Sequence, residues 1–162
     1  MAFAEREKEG LIEVEWSAEL YGTVKMTAFY RLYEKDSENF SNVPDFAREH
    51  FQQLYDQFLE HLLLQYGRNT NLDVWNEETC TSERIPISRK EELHPYLGMK
   101  PLIEVRSFEG RMFLGLSFFE HNRISIEHGL CAVFDRSELL LMDAYDFAGI
   151  IDNFKYGYIG GF

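Results

Sequence analysis

The chain of 162 residues holds five histidines, two cysteines and 28 acidic side chains, and the spacing of these groups limits the chemistry open to them. Histidine is the usual metal ligand and the usual acid or base near neutral pH. His50 and His61 fall on one edge of a helix, but eleven residues place them about 16 Å apart at 1.5 Å per residue, too far to share one ion. Glu120-His121 and Glu127-His128 repeat at a spacing of seven across a bend and lack the short His-x-x-x-His spacing of zinc enzymes. Cys131 lies in the apolar run Leu130 to Phe134, where a small buried thiol is ordinary packing. Cys80, between Thr79 and Thr81, has no basic neighbour in sequence to lower its pKa. Gly110 to Gly115 carries no phosphate-binding Lys-Ser or Lys-Thr pair, and neither Gly-x-Ser-x-Gly nor a dinucleotide fingerprint occurs. The expectation is a chain that is not an enzyme, with no catalytic residue, no metal and no cofactor. A small metal-dependent hydrolase using Glu120, His121, Glu127 and His128 is the lesser alternative.

The acidic groups are more informative. The net charge is −12 at neutral pH, and residues 1–81 carry three quarters of the excess. On one helix, Asp45, Glu49, Asp56 and Glu60 fall within about 60° of one another at 100° per residue, with Gln52 beside them. Asp45 faces Glu49 and Asp56 faces Glu60, so no Lys or Arg stands at the i+4 positions that would neutralise the stripe. Such like-charge pairs cost about a few tenths of a kcal/mol each, which a cationic partner offsets. Asp45, Glu49, Gln52, Asp56 and Glu60 are therefore the expected partner-binding residues. Trp75, in a polar stretch, is the expected aromatic anchor. An acidic field repels phosphate backbones, so direct nucleic-acid binding is not expected, whereas a basic protein partner is.

The elements that must position these groups follow from periodicity. Leu11 to Trp16 alternates, with Ile12, Val14 and Trp16 on one side. Tyr21 to Tyr33 alternates again, with Val24, Met26, Ala28, Tyr30 and Leu32 on one face, and the two runs form a hairpin. Ser41 or Asn42 caps a helix that Pro44 enters near its first turn. Val43, Phe46, Phe51, Leu54, Tyr55, Phe58, Leu59, Leu62, Leu63 and Tyr66 recur at helical steps, and Gly67 stops the helix. Arg68 to Pro86 reads as polar, turn-rich and the least ordered internal stretch. Ser88 to Leu97 is a short helix opened by a Ser88–Glu91 capping box and interrupted by Pro95. Leu102–Phe108 and Arg111–Phe119 flank Glu109-Gly110, and Leu130–Phe134 and Glu138–Met142 flank Asp135-Arg136-Ser137, two further hairpin signals. Ala144 to Asp152 makes a short helix, and Asn153 to Phe162 is a Gly-rich aromatic tail. The expected fold is one α+β domain over residues 1–162: an antiparallel sheet, made of an N-terminal hairpin and a C-terminal four-strand meander, packed against one long helix.

Composition agrees with a single folded domain. Fourteen Phe, nine Tyr and two Trp supply a core, and at this length no disulfide or metal staple is required. No run approaches the roughly 18 to 20 apolar residues that span a bilayer. The charged N-terminus lacks the apolar segment of a signal sequence, so the expected compartment is the cytoplasm, with free thiols and no membrane partner.

Gly115-Leu116-Ser117-Phe118-Phe119-Glu120, followed by Ile126-Glu127-His128-Gly129-Leu130-Cys131-Ala132-Val133-Phe134, resembles the C-terminal part of a group of small bacterial proteins. In that group a strand leads to a Glu-His-Gly-Leu turn, a strand pair and an aspartate-containing end, here approximated by Asp143 to Asp146. The likeness covers roughly the last third of the chain well, and only the general strand-helix-strand plan before it. Such proteins resemble the immunity-type domains found beside bacterial polymorphic toxins. The resemblance implies a bacterial, cytoplasmic binding protein and a structural turn at Glu127, His128 and Gly129, with glycine supplying a positive φ. Taken with the charge, it makes neutralisation of a basic toxin, such as a nuclease, the expected function. The alternative of another class is a structural homodimer formed through a sheet edge or the aromatic tail.

Overall fold

The computed structural model describes residues 7–33, 43–66, 73–124, 129–144 and 146–155. Eight strands, β1 (Glu7–Ala18), β2 (Gly22–Tyr33), β3 (Val74–Asn76), β4 (Thr81–Glu83), β5 (Pro101–Phe108), β6 (Arg111–Phe118), β7 (Leu130–Asp135) and β8 (Glu138–Asp143), accompany a long helix α1 (Val43–Gln65), a 3-10 helix (Lys90–Tyr96) and a short helix α2 (Phe147–Lys155). The fold is α+β. Six strands form one sheet in the order β1-β2-β5-β6-β7-β8, and β3 with β4 forms a second, two-stranded sheet. Among the described residues no helix is long and apolar enough to cross a membrane. The proposed caps Ser41 and Asn42, the stop at Gly67, and residues 156–162 of the tail lie outside the described residues.

The first hairpin forms as the alternation predicts and the meander as its turn signals predict, but they do not join in an all-antiparallel sheet. β2 pairs with β5 in parallel, Phe29 opposite Leu102 and Leu32 opposite Val105. The reason is connectivity: the chain leaves β2, runs through α1 and re-enters the sheet beside the strand it left, which is a crossover rather than a hairpin. A second departure lies between Arg68 and Pro86, where β3 and β4 pair Val74 with Glu83 and Asn76 with Thr81. Trp75 N–H donates to the Arg123 carbonyl at 2.8 Å, and Arg123 Nε donates to the Trp75 carbonyl at 3.0 Å, so this small sheet is tied to the loop after β6.

The core lies between α1 and one face of the large sheet. Ile12, Val14, Trp16, Met26, Ala28 and Leu32 from the hairpin meet Phe51, Leu54, Tyr55, Phe58, Leu59 and Leu62 from α1, with Leu114, Leu116 and Phe118 from β6. A flat six-strand sheet is about 24 Å wide at 4.8 Å per strand, twice the diameter of a helix. Both of its edges nevertheless reach α1. Gln52 Oε1 accepts from Ser17 N at 2.7 Å and Gln52 Nε2 donates to the Ser17 carbonyl at 2.9 Å, on the β1 side. Gln57 Oε1 accepts from Leu139 N at 3.0 Å and Gln57 Nε2 donates to the Ser137 carbonyl at 2.7 Å, on the β8 side. The sheet therefore curls around the helix, and two glutamine amides each bond one end of a margin, at Ser17 and at Ser137 with Leu139.

The opposite face is covered over β5–β8. There α2 sets Phe147, Ile150 and Ile151 on Phe113, Cys131, Val133 and Leu141. Gly115 permits this approach, because a Cβ at that position would come within 2.6 Å of the Phe147 ring. Among the described residues no helix lies over the outer face of β1 and β2.

Candidate functional site

Where the first hairpin, the middle of α1 and the 3-10 helix meet, the fold gathers aromatic and charged groups from distant parts of the chain. Trp16 alternates onto the buried face of β1, fully enclosed, with its ring 4.8 Å from that of Tyr55 and 4.8 Å from that of His94. An indole N–H buried without a partner is costly. Here it donates to Asp56 Oδ1 at 2.9 Å, while Asp56 Oδ2 accepts from Gln52 Nε2 at 2.9 Å. Lys90, from the 3-10 helix, stands 3.7 Å from Asp56 and 2.8 Å from Glu60. Burial by itself lowers the Lys90 pKa, but the hydrogen bond and charge of Glu60, with Asp56 beside it, outweigh burial and hold it above its ordinary value. The hairpin tip is latched to the 3-10 helix by Leu20 N donating to Glu91 Oε2 at 3.1 Å and Arg89 donating to Glu19 at 3.0 Å. Glu91 is thus committed to the hairpin. The reciprocal contact at the helix start comes from Glu92, which accepts from Arg89 N and Ser88 Oγ, one residue later than the expected capping pair.

His94 is 4% exposed, and its Nδ1 lies 2.6 Å from the Tyr55 hydroxyl. Burial raises the Tyr55 pKa well above 10, so the phenol keeps its proton and the contact is a neutral Tyr–His hydrogen bond. Burial also lowers the His94 pKa. The sign of the linkage follows. Above the unfolded value of about 6.5 both states hold a neutral imidazole, and below it the unfolded chain takes a proton that the folded one resists. Stability is therefore expected to decline as pH falls from about 6.5 toward the lower folded value, and His94→Gln should flatten that part of the profile, read by urea denaturation between pH 5 and 8. An undiminished slope in His94→Gln would assign it to other groups.

The expected partner-binding residues divide. Asp45, Glu49, Gln52, Asp56 and Glu60 do share one flank of α1, and all but the half-buried Asp56 are exposed. The flank is not uncompensated, however. Arg48 pairs with Asp45 at 2.9 Å across an i,i+3 step, and Lys90 serves both Asp56 and Glu60. The i+4 rule overlooks a cation one position nearer and a cation delivered by another element. Among the described residues Glu49 alone of the four carboxylates has no ion pair. Gln52 and Asp56 have structural duties to β1, and Trp75 is half-buried in β3, apart from the stripe. The aromatic group that does reach the surface beside the acidic flank is Tyr21, 41% exposed, its ring 6.2 Å from that of Trp16, next to Leu20 at 46%. Both occupy the tip of a hairpin, where side chains face solvent whatever their type; that position was the signal available in the sequence.

Other chemical groups are separated. Cys131 is buried, and desolvation pushes its thiol up to about 12; Cys80 is exposed. Glu120 pairs with Lys100 at 3.0 Å, which lowers its pKa, and His121 is exposed in the following turn. Glu127 and His128 lie outside the described residues, while Gly129 has the expected positive φ, 69°. Among the described residues no cluster of three or more His, Cys, Asp or Glu is placed to hold a metal ion. An open groove of about 610 Å³ on the uncovered sheet face is lined by Leu11, Phe29, Leu102, Met99 and Phe119 with Lys25, Arg31 and Lys100. Its cations already face carboxylates: Lys25 faces Glu15, Arg31 faces Glu9 and Glu104, and Lys100 faces Glu120. Comparison of the chain with protein-family models, with curated proteins and with solved structures finds no match.

Proposed function

We propose that the protein is a non-catalytic acidic binding protein that neutralises a basic bacterial toxin, such as a nuclease, in the manner of an immunity protein. The observation that carries this reading is the charge: a net −12 whose excess lies mostly in residues 1–81, with Glu49 on α1 and Glu13 on β1 exposed and outside the ion pairs of the described residues, whereas Asp45, Glu60, Glu9 and Glu15 each face a cation. A field of one sign speeds encounter with a cationic surface, and exposed Leu20 and Tyr21 supply apolar area that loses water on contact. The Glu-His-Gly-Leu resemblance points the same way. The test is to mix the full chain with the toxin domain encoded at the neighbouring locus. A stoichiometric complex with loss of toxicity is expected, its association rate falling as salt rises from 50 to 500 mM, because the Debye length contracts. Neither complex nor protection would remove the reading.

A further inference from the structure

We propose that the free edge of β1, over Glu9 to Glu15, takes up an extended strand of a cationic partner chain. This names the contact by which the acidic binding proposed above is made, and it rests on that reading. β1 is an outermost strand of the large sheet. In an antiparallel pair the residues alternate between directing their N–H and C=O at the neighbouring strand and directing them away from it. Ser17 directs both groups outward, to the Gln52 amide. By period two, Glu15, Glu13, Leu11 and Glu9 also present their N–H and C=O outward, and among the described residues nothing bonds them. The Gln52 side chain already occupies one end of this row as a peptide-like amide, at 2.7 and 2.9 Å, so the edge has the geometry to receive a main chain.

The same residues carry the side chains that choose the occupant. On the uncovered face Glu9, Leu11, Glu13 and Glu15 are exposed, Leu11 to 70%, whereas Ile12, Val14 and Trp16 are buried beneath α1. The flank of α1 that carries Gln52 adds Asp45 and Glu49. A second copy of this chain is a poor occupant. In two-fold antiparallel self-pairing, an axis at Leu11 sets Glu9 opposite Glu13, and one at Ile12 sets Glu9 opposite Glu15. An axis at Glu13 sets Glu13 opposite itself, and one at Val14 sets Glu13 opposite Glu15. Every register juxtaposes like charges. Lys25 and Arg31 of β2 face Glu15 and Glu9 at 3.8 and 3.3 Å, which leaves Glu13 as the carboxylate of this row outside an ion pair among the described residues. A strand with Lys or Arg at alternate positions meets it with opposite charge and adds to the partly compensated ends, and its main chain completes the ladder.

The probe is the capped peptide Lys-Val-Lys-Val-Lys-Val-Lys, with Lys-Pro-Lys-Pro-Lys-Pro-Lys as a partner of equal charge that cannot form a β ladder. Both are titrated into the full chain, and amide exchange is followed residue by residue. The valine peptide is expected to slow exchange at Glu9, Leu11, Glu13 and Glu15 and to bind about tenfold or more tightly than the proline peptide, as main-chain pairing requires. Leu11→Pro removes one outward N–H without touching the β1–β2 ladder and should weaken the valine peptide; Glu13→Gln should weaken it less and flatten its salt dependence. Equal binding of the two peptides with no slowed exchange along β1 would overturn strand addition and leave acidic binding standing; absence of binding by either would also overturn it. If β1 is protected by the valine peptide while the toxin test fails, the toxin-neutralising reading falls and the edge remains.

Discussion

Trp16→Ala is expected to lower the free energy of unfolding by about 3–5 kcal/mol, the range for removing a large buried aromatic side chain from a packed core. Three losses coincide there. The cavity opens between β1, α1 and the 3-10 helix, where no single element can close it. The edge-on contact with Tyr55 and the ring contact with His94 disappear. Asp56 loses the indole N–H it accepts at 2.9 Å and is left with Gln52 and Lys90. Trp16→Phe keeps most of the ring volume and gives up only the N–H and part of the packing, so it should cost clearly less. Urea denaturation of both variants against the parent measures the difference. Equal midpoints for alanine and phenylalanine would mean that the site collapses around the missing ring and that this junction does not hold the hairpin to the helix.

The second large effect is a contrast between carboxylates that look alike in sequence. Asp45 and Glu49 are exposed, and the Asp45–Arg48 pair is a surface ion pair of small worth. Asp45→Lys with Glu49→Lys should leave stability within about 0.5 kcal/mol while slowing association with a cationic partner, an effect that fades at high salt. Asp56→Lys should do the opposite. It leaves the buried Trp16 N–H without its acceptor, at about 1–3 kcal/mol, and sets a second cation against Lys90. Denaturation midpoints with association kinetics separate the two outcomes. If Asp56→Lys were as stable as Asp45→Lys with Glu49→Lys, Asp56 would be a surface residue and nothing more.

That contrast marks how far the candidate surface was legible. Helical spacing alone placed Asp45, Glu49, Gln52, Asp56 and Glu60 on one flank, since angle on a helix depends only on residue number. It carried no information about what the flank meets. Lys90 lies thirty residues after Glu60 in the chain, and only folding brings it to 2.8 Å. Gln52, chosen for its place beside the stripe, holds the margin of β1 through contacts 35 residues away in sequence. His94 gave no local sign of its role, because a pair such as Tyr55 with His94 is recognisable only when its members touch.

The sequence by itself determined the local architecture. Alternation of period two laid out β1 and β2 with the correct residues inward, turn signals marked the later hairpins, and steps of three and four laid out α1 with its buried stripe, because these patterns arise from backbone geometry within a few residues. It also determined the sign and the uneven distribution of the charge. Tertiary structure alone decided that β2 and β5 run parallel, that the sheet curls until both margins reach α1, and that two carboxylates of the acidic stripe share one lysine from another element. Each of those is a contact between residues far apart in the chain. Such contacts are set by how whole elements pack and are satisfied against one another, for which no local repeat carries a code.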